Sequence, residues 1–314
     1  MAKPKQHIPN ALRYTVQQFR AEFPNDDICL EHIKEQRWPH GVTFCEACGR
    51  ERKHHRVSGR TAYACDHCGH HIYPLAGTIF EKSTTPLTTW LYAMYLMAST
   101  RCGISAKQIQ RETGVTYKTA WRMFKQIRTL FSEDLKLGGA NGVEMDETYV
   151  GGRRRNVHRG RPSAGEKACV IGVMERKGRV HAIVANNATR ATLHGIAQER
   201  ILPETTVYTD DWSGYHGLDQ VGYPHRRINH SAKVYVVGDI HTNTIEGFWS
   251  LVKRGLGGVY HAVSQKYLQS YLNEYSFRYN RRDSVTPMFS LMLARVSETA
   301  AETPCAAMQG NPVA

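Results

Sequence analysis

Two cysteine pairs constrain this chain more than any other feature. Cys45-Glu46-Ala47-Cys48 and Cys65-Asp66-His67-Cys68 are C-x2-C units with sixteen residues between them. Each unit bends the chain so that two thiolates face one point, and two such bends complete a tetrahedral four-sulfur site suited to one structural zinc ion. Gly49 and Gly69 each follow a second cysteine, where the chain must turn tightly with room for N–H···S bonds. A redox-active pair is the alternative reading. It accounts for one C-x2-C but not for two with matching glycines. His67, His70 and His71 are further ligand candidates, ranked lower because four cysteines saturate the metal. The spacing predicts a zinc ribbon over residues 41–82, a segment too short for its own core and dependent on metal for folding.

The rest of the 314-residue chain carries an excess of positive charge. Lysine plus arginine number 41 and aspartate plus glutamate 28, so the net charge is 41 − 28 = +13. That field attracts polyanions, and nucleic acid is the expected partner because binding phosphates releases counterions. A membrane is not expected: the longest apolar run, Leu91–Ala98, is too short to span one. No small-molecule substrate is expected either. The opening MAKPKQHIPN has no apolar stretch resembling a secretory signal, which points to a reducing compartment. There Cys29, Cys102, Cys169 and Cys305 read as scattered buried or idle thiols.

Periodicity and punctuation divide the chain into an α/β, multi-domain protein. Residues 1–40 read as a helical lead-in, with Tyr14, Phe19 and Phe23, a turn at Pro24-Asn25-Asp26 and a helix ending before Pro39. Residues 83–137 follow the ribbon. There Thr85 is expected to cap a helix with Pro86 in its first turn. Ser105 with Gln108 fits a capping box, Gly114 a turn, and Thr116 a second cap, so 105–131 reads as a helix–turn–helix. Ala120, Phe124, Ile127 and Phe131 form its apolar stripe. Thr116, Tyr117, Lys118, Thr119 and Arg122 would enter a DNA major groove. A helical hairpin used only for packing is the alternative, but Lys107, Arg111, Lys118, Arg122, Lys125 and Arg128 exceed what packing requires. Gly138 to Gly142 reads as a domain linker. Residues 138–298 alternate strands and helices, as a mixed sheet flanked by helices does, and 299–314 read as a disordered tail.

The second domain carries the acids. In VEMDETYV, Glu144 and Asp146 point to one face of a strand and Glu147 to the other. TVYTDDW ends a strand at Asp210 and Asp211. HTNTIEGFWSLVKRGLGG, residues 241–258, reads as an amphipathic helix burying Ile245, Phe248, Trp249 and Val252, with Glu246 and Lys253 two turns apart on another face. Arg153, Arg154 and Arg155 open a dense basic loop, and RYNRR at 278–282 is a second basic cluster.

Asp146 after an apolar strand, Asp210 in TD-x-W-x-G-Y, and H-x-N-x-x-E-G-x-W-S-x-x-K-R together resemble the DDE transposases of bacterial insertion sequences, in particular those with an N-terminal zinc ribbon and a helix–turn–helix. The similarity runs from about residue 20 to residue 290. It implies a ribonuclease H-like catalytic domain over 138–298. It implies Asp146, Asp210 and Glu246 as ligands of two Mg2+ (or Mn2+) ions, beside one Zn2+ in the ribbon. Lys253 corresponds to a basic residue two turns after the catalytic acid and, with Arg254, is expected on DNA phosphates, as are Arg153, Arg154 and Arg155. Asp211 directly follows Asp210, and Asn243 is an alternative or additional third ligand. Gly247 is expected to leave room beside the metals. His241 reads equally as a helix cap or as a group near them. The implied activity is binding of terminal inverted repeats, strand cleavage and joining of 3′ ends to target DNA, by a homo-oligomer on DNA in the nucleoid of a bacterial cytoplasm. A non-catalytic DNA-binding regulator and a structure-specific nuclease are the alternatives.

Overall fold

The computed structural model describes residues 14–100, 102–151, 167–228 and 243–302. Arg153, Arg154, Arg155 and His241 lie outside the described residues, as does the side chain of Asn243. The chain divides into two compact units, Met1–Leu130 with Ser284–Ala314, and Phe131–Asp283. Among the described residues, no helix is long and apolar enough to cross a membrane.

The first unit opens with α1 (Val16–Glu22) and α2 (Asp26–Arg37), set by local capping chemistry. Thr15 and Gln18 exchange hydrogen bonds in a capping box, and Asn25 accepts from Ile28 N. Five short strands follow: β1 (Phe44–Cys45), β2 (Arg50–Glu51), β3 (His54–Arg56), β4 (Tyr63–Cys65) and β5 (His71–Ile72). β1 pairs with β2, and β4 is central to the β3–β4–β5 sheet, all antiparallel. One stripe of α2 clamps this segment. Arg56 donates to Asp27 at 2.8 Å, Tyr63 Oη donates to Glu31 at 2.6 Å, Lys34 Nζ lies 4.7 Å from the Tyr63 ring centre, and Arg37 donates to Pro74 O.

Three helices complete this part: α3 (Leu87–Ser99), α4 (Ala106–Thr113) and α5 (Tyr117–Thr129). The expected Thr85 cap of α3 is not made. Pro86 occupies the cap position without a side-chain bond. Asp26, distant in sequence, accepts from both Thr88 N and Thr88 Oγ1 at 2.9 Å. A carboxylate at a helix N-terminus satisfies amides that proline and threonine here do not.

The second unit is built on β6 (Val143–Val150), β7 (Ala168–Glu175), β8 (Val180–Ala185), α6 (Arg190–Arg200), β9 (Val207–Asp210) and β10 (His225–Ile228). The sheet order is β10-β9-β6-β7-β8. β6, β7 and β8 form an antiparallel meander, while β9 and β10 run parallel to β6. One face is apolar: Val143 and Met145 of β6 pack with Leu193, Ile196 and Ala197 of α6 and with Tyr215. The other face receives α7 (Asn243–Gly255), which continues into a π-helical turn at Leu256–Tyr260, while α8 (Gln265–Asn280) runs along the edge strand β8, with Gln269 and Asn280 bonding its backbone.

The unit boundaries fall elsewhere than the punctuation suggests. Residues 131–137 belong to the sheet unit, because Leu137 exchanges backbone bonds with Arg200 and Leu202, and the Phe131 and Phe277 rings lie 5.0 Å apart. Gly138 to Gly142 is a packed approach to β6 rather than a free linker. A Cβ at Gly138 would lie 2.9 Å from Leu202, and one at Gly142, where φ is +72°, 2.6 Å from Thr206 O. The last helix, α9 (Met288–Glu302), returns to the first unit, since Phe289 sits among Tyr14, Phe19, Phe23 and Tyr95. The tail expected from residue 299 is therefore helical through Glu302.

Candidate functional site

The four cysteines assemble as their spacing requires. Their sulfurs all lie within 4.8 Å of one another, with Cys45–Cys68 at 3.6 Å and Cys48–Cys65 at 3.9 Å. A tetrahedron of ~2.3 Å zinc–sulfur bonds has edges of roughly 3.8 Å, so the donor set fits zinc. Gly49 and Gly69 take left-handed backbone angles, φ +64° and +71°. Their N–H groups close on the carbonyls of Cys45 and Cys65 rather than on sulfur. The amides aimed at sulfur belong to Cys48, His67 and Cys68. Those of Cys68 and His67 help to hold the Cys65 thiol down at about 7. Arg50, Arg52, Lys53, His54, His55, Arg56 and Arg60 give this segment a basic character: Arg56 is committed to Asp27, His54 contacts Val42 O, Arg52 is half-buried, and Arg50, Lys53, His55 and Arg60 are exposed.

The helix pair α4–α5 is also local. Ser105 accepts from Gln108 N, but Gln108 bonds Glu112 instead of completing a box. Gly114 supplies the left-handed turn at φ +71°, and Thr116 accepts from Thr119 N. Ala120, Phe124, Ile127 and Phe131 are buried as the stripe predicts. Thr116, Tyr117, Lys118 and Arg122 are exposed and Thr119 is half-buried. Arg122 donates to Glu81 O at 3.1 Å. Arg128 departs from expectation: it is 1% exposed and lies over the Phe124 ring at 3.7 Å, so it serves packing and not a phosphate.

The acids meet through sheet register. Val143 pairs with Val207 and Glu144 with Tyr208, an offset of 207 − 143 = 64. The same offset carries Asp146 to 146 + 64 = 210, just beyond the last paired residues. Continued at that offset, the adjacent parallel strands carry the two aspartates to matching positions just past the end of their ladder, the kind of place at which α/β sheets form sites. α7 lies on the face of Glu144 and Asp146, as strand alternation predicts, with Trp249 Nε1 donating to Asp146 Oδ2 at 2.9 Å. Its residues Ile245, Phe248, Trp249 and Val252 are buried, and Glu246, Lys253 and Arg254 are exposed. Burial pushes Asp146 up to about 7, aided by the charges of Glu147, Asp210 and Glu246 and opposed by the Trp249 bond. Glu147 faces the opposite side, where buried Tyr215 donates to it at 2.6 Å. Its carboxyl is also raised, by burial first and by Asp210.

The convergence is looser than a metal cage. Among the described residues, the four cysteines alone form a group of three or more potential ligands within 4.8 Å of one another. Asp210 and Glu246 act electrostatically on Asp146 without that closeness. Asp210 accepts from Trp212 N, and Asp211 points instead toward Arg227 at 3.5 Å. Gly247 meets no other residue: a Cβ there would lie in open space.

Two contacts at this site were not legible in the sequence. Glu144 is fully buried and accepts from Thr244 N, Thr244 Oγ1 and Ile245 N at 2.9–3.0 Å, with Arg176 Nε at 3.3 Å. Gly172, paired with Asp146, makes room for Trp249: a Cβ there would lie 2.5 Å from the indole ring. Neither residue stands in a recognisable motif, although a glycine inside an apolar strand signals close approach.

Comparison with known proteins shows the family. Residues 136–280 match the ISXO2-like transposase domain family, and residues 24–71 match the transposase zinc-ribbon domain family. An uncharacterized protein in transposable element ISH50 of Halobacterium salinarum is 31% identical over 264 residues, covering 78% of this chain and 88% of that protein. An uncharacterized transposase-like protein of Haemophilus influenzae is 33% identical over 107 residues, covering 34% of this chain and 85% of the relative. With its four-cysteine ribbon ahead of a sheet that aligns two aspartates, this chain belongs to the DDE transposases of insertion sequences that carry an N-terminal zinc ribbon.

Proposed function

We propose that the protein binds the terminal inverted repeats of its own insertion sequence, cleaves DNA strands there and joins the freed 3′ ends to target DNA. The observation that carries this reading is that the charges of Asp210 of β9 and Glu246 of α7 act on the buried Asp146 of β6. The strand order and directions are those expected of a ribonuclease H-like catalytic domain. A raised Asp146 marks a site that gains by taking up positive charge.

Carboxylate oxygens suit hard divalent cations, so Asp146, Asp210 and Glu246 would hold Mg2+ or Mn2+. Such ions, when bound, activate an attacking oxygen and stabilise a leaving one in phosphodiester exchange. The protein's part is to present the acids from rigid elements and to hold the substrate. Lys253 and Arg254, exposed in the last turn of α7, hold DNA phosphates. In the first unit, Thr116, Lys118, Thr119 and Arg122 at the start of α5 read the end sequence as a helix–turn–helix, and the basic ribbon surface adds phosphate contacts. One active site per transposon end calls for a homo-oligomer on DNA. The work would be done on bacterial nucleoid DNA.

The test uses a duplex carrying the DNA that flanks the reading frame, with Mg2+. Wild-type protein nicks at the repeat ends and transfers the 3′ strand, whereas Asp146→Asn loses both by about a thousandfold, equivalent to ~4 kcal/mol of transition-state stabilisation. Full activity in Asp146→Asn overturns the assignment. End binding without cleavage by wild type points to a regulator. Cutting of branched DNA of any sequence points to a nuclease.

A further inference from the structure

The carboxylate of Glu144 has no role in the reading above, yet it ties the strand of Asp146 to the helix of Glu246. It is 0% exposed. Oε2 accepts from Thr244 N at 3.0 Å and Ile245 N at 2.9 Å, while Oε1 accepts from Thr244 Oγ1 at 2.9 Å and faces Arg176 Nε at 3.3 Å. Arg176 is itself laid over the Tyr208 ring at 3.6 Å. The Thr244 and Ile245 amides belong to the first turn of α7, where N–H groups have no partner inside the helix and the helix end is electropositive. The helix that bears Glu246 is therefore capped by the strand that bears Asp146.

A second bond fixes the same pair of elements. Two residues further along β6, Asp146 accepts from Trp249 Nε1. Two strand residues advance about 6.8 Å. The four to five helix residues from Thr244 or Ile245 to Trp249 advance roughly 6–7.5 Å. Strand and helix thus share two anchor points at matching spacing, which sets both the sliding and the tilt of α7. Glu246 directly follows the anchored Ile245. With three donors and the Arg176 guanidinium around its two oxygens, Glu144 is committed to holding the helix.

We propose that Glu144 is a positioning residue of the carboxylate site: by capping α7 it sets where Glu246 stands relative to Asp146, and so sets the site's affinity for divalent cations. The inference rests on the assignment of Asp146 and Glu246 as metal-holding acids. Replacing the outer partners of metal-holding groups weakens binding by about 10- to 100-fold in general, and an effect of that size is expected here.

The experiment titrates Mn2+ into the zinc-loaded full chain and follows the bound ion by electron paramagnetic resonance. Asp146→Asn should abolish the carboxylate-site signal, and Glu144→Gln should weaken it about tenfold without abolishing it. Far-ultraviolet circular dichroism at the titration temperature checks that each variant is folded, since a merely stabilising role would lower the melting temperature and leave the affinity of folded protein unmoved. Wild-type affinity in Glu144→Gln overturns the positioning role alone. Loss as complete as in Asp146→Asn also overturns it, by making Glu144 a ligand. Undiminished binding in Asp146→Asn overturns the acid assignment and this inference with it. Should Glu144→Gln not fold, Thr244→Ala removes one donor and keeps the carboxylate paired. It should weaken Mn2+ by less than Glu144→Gln does, roughly threefold, because the two backbone donors to the carboxylate remain, and an unchanged affinity overturns the proposal.

Discussion

The ribbon and the carboxylate site solve opposite problems. In the ribbon, all four donors come from residues 45–68, and two tight turns bring the sulfurs within 4.8 Å of one another. In the sheet unit, the acids come from β6, β9 and α7, spread over residues 146–246, and Asp210 and Glu246 act on Asp146 without closing into a cage. The ribbon's donors are soft, saturating and close in sequence, as suits an ion that holds a small fold together. The sheet's acids are hard, distant in sequence and partly open. Under the proposed function the site would have to admit a phosphodiester, which a site closed in advance could not do. Proximity along the chain therefore accompanies a structural role here, and assembly from distant elements accompanies the role proposed for the acids.

The largest effect should come from breaking the ribbon. Cys65→Ser should reduce zinc content from one ion per chain to none and expose residues 41–82 to limited proteolysis while the sheet unit stays protected. Structural zinc contributes about 10–16 kcal/mol of apparent binding energy in small finger peptides, far more than this segment's own packing supplies. Retained zinc, measured by elemental analysis, would contradict the closed four-sulfur site.

Next comes the packing behind the acids. Gly172→Ala places a methyl group 2.5 Å from the Trp249 ring and 2.9 Å from Ile245. The helix must shift, at a cost of about 1–3 kcal/mol for overpacking a core. Melting should fall by several degrees with zinc content unchanged. An unaltered melting curve would show that α7 is not held as tightly as its contacts indicate.

The pH response sharpens the contrast further. In protein free of Mg2+ and Mn2+, Asp146 keeps its proton up to about 7, whereas an unfolded aspartate releases it near 3.8. Between those values the folded state binds more protons, so stability falls as pH rises through the window and the full penalty stands above it. Asp146→Asn should remove that slope: its gain in melting temperature over wild type should be larger at pH 8 than at pH 5, by a few degrees. Equal gains at both values would mean that burial and neighbouring charges do not load this carboxyl.

The smallest effect belongs to the surface of α5. Lys118→Ala should leave melting unchanged and lower the slope of log affinity against log salt by about one for any duplex, as loss of one phosphate contact does. An unchanged slope would remove Lys118 from the DNA surface.

Much of this was readable before any coordinates. The cysteine spacing, the Thr116 cap, the Gly114 turn and the buried stripes of α5 and α7 all follow from short-range periodicity, and the structure repeats them. Arg128 misled because a cation on a helix reads as solvated until a packed aromatic neighbour is seen. Thr85 misled because a local cap was assumed where Asp26 supplies one from another helix. Residues 131–137 and α9 changed units because apolar partners far along the chain outweighed the glycine and proline punctuation nearby.

The sequence by itself determined which residues could do chemistry and how each short element would form, because capping, turn geometry and metal-ligand spacing act over a few residues. Only the tertiary structure decided how those elements meet: the offset of 64 that aligns Asp146 with Asp210, the anchoring of α7 by Glu144, and the room that Gly172 leaves for Trp249. Strand register and helix docking are set by long-range packing and by burial of polar groups that must find partners, and no local pattern records which partner is found.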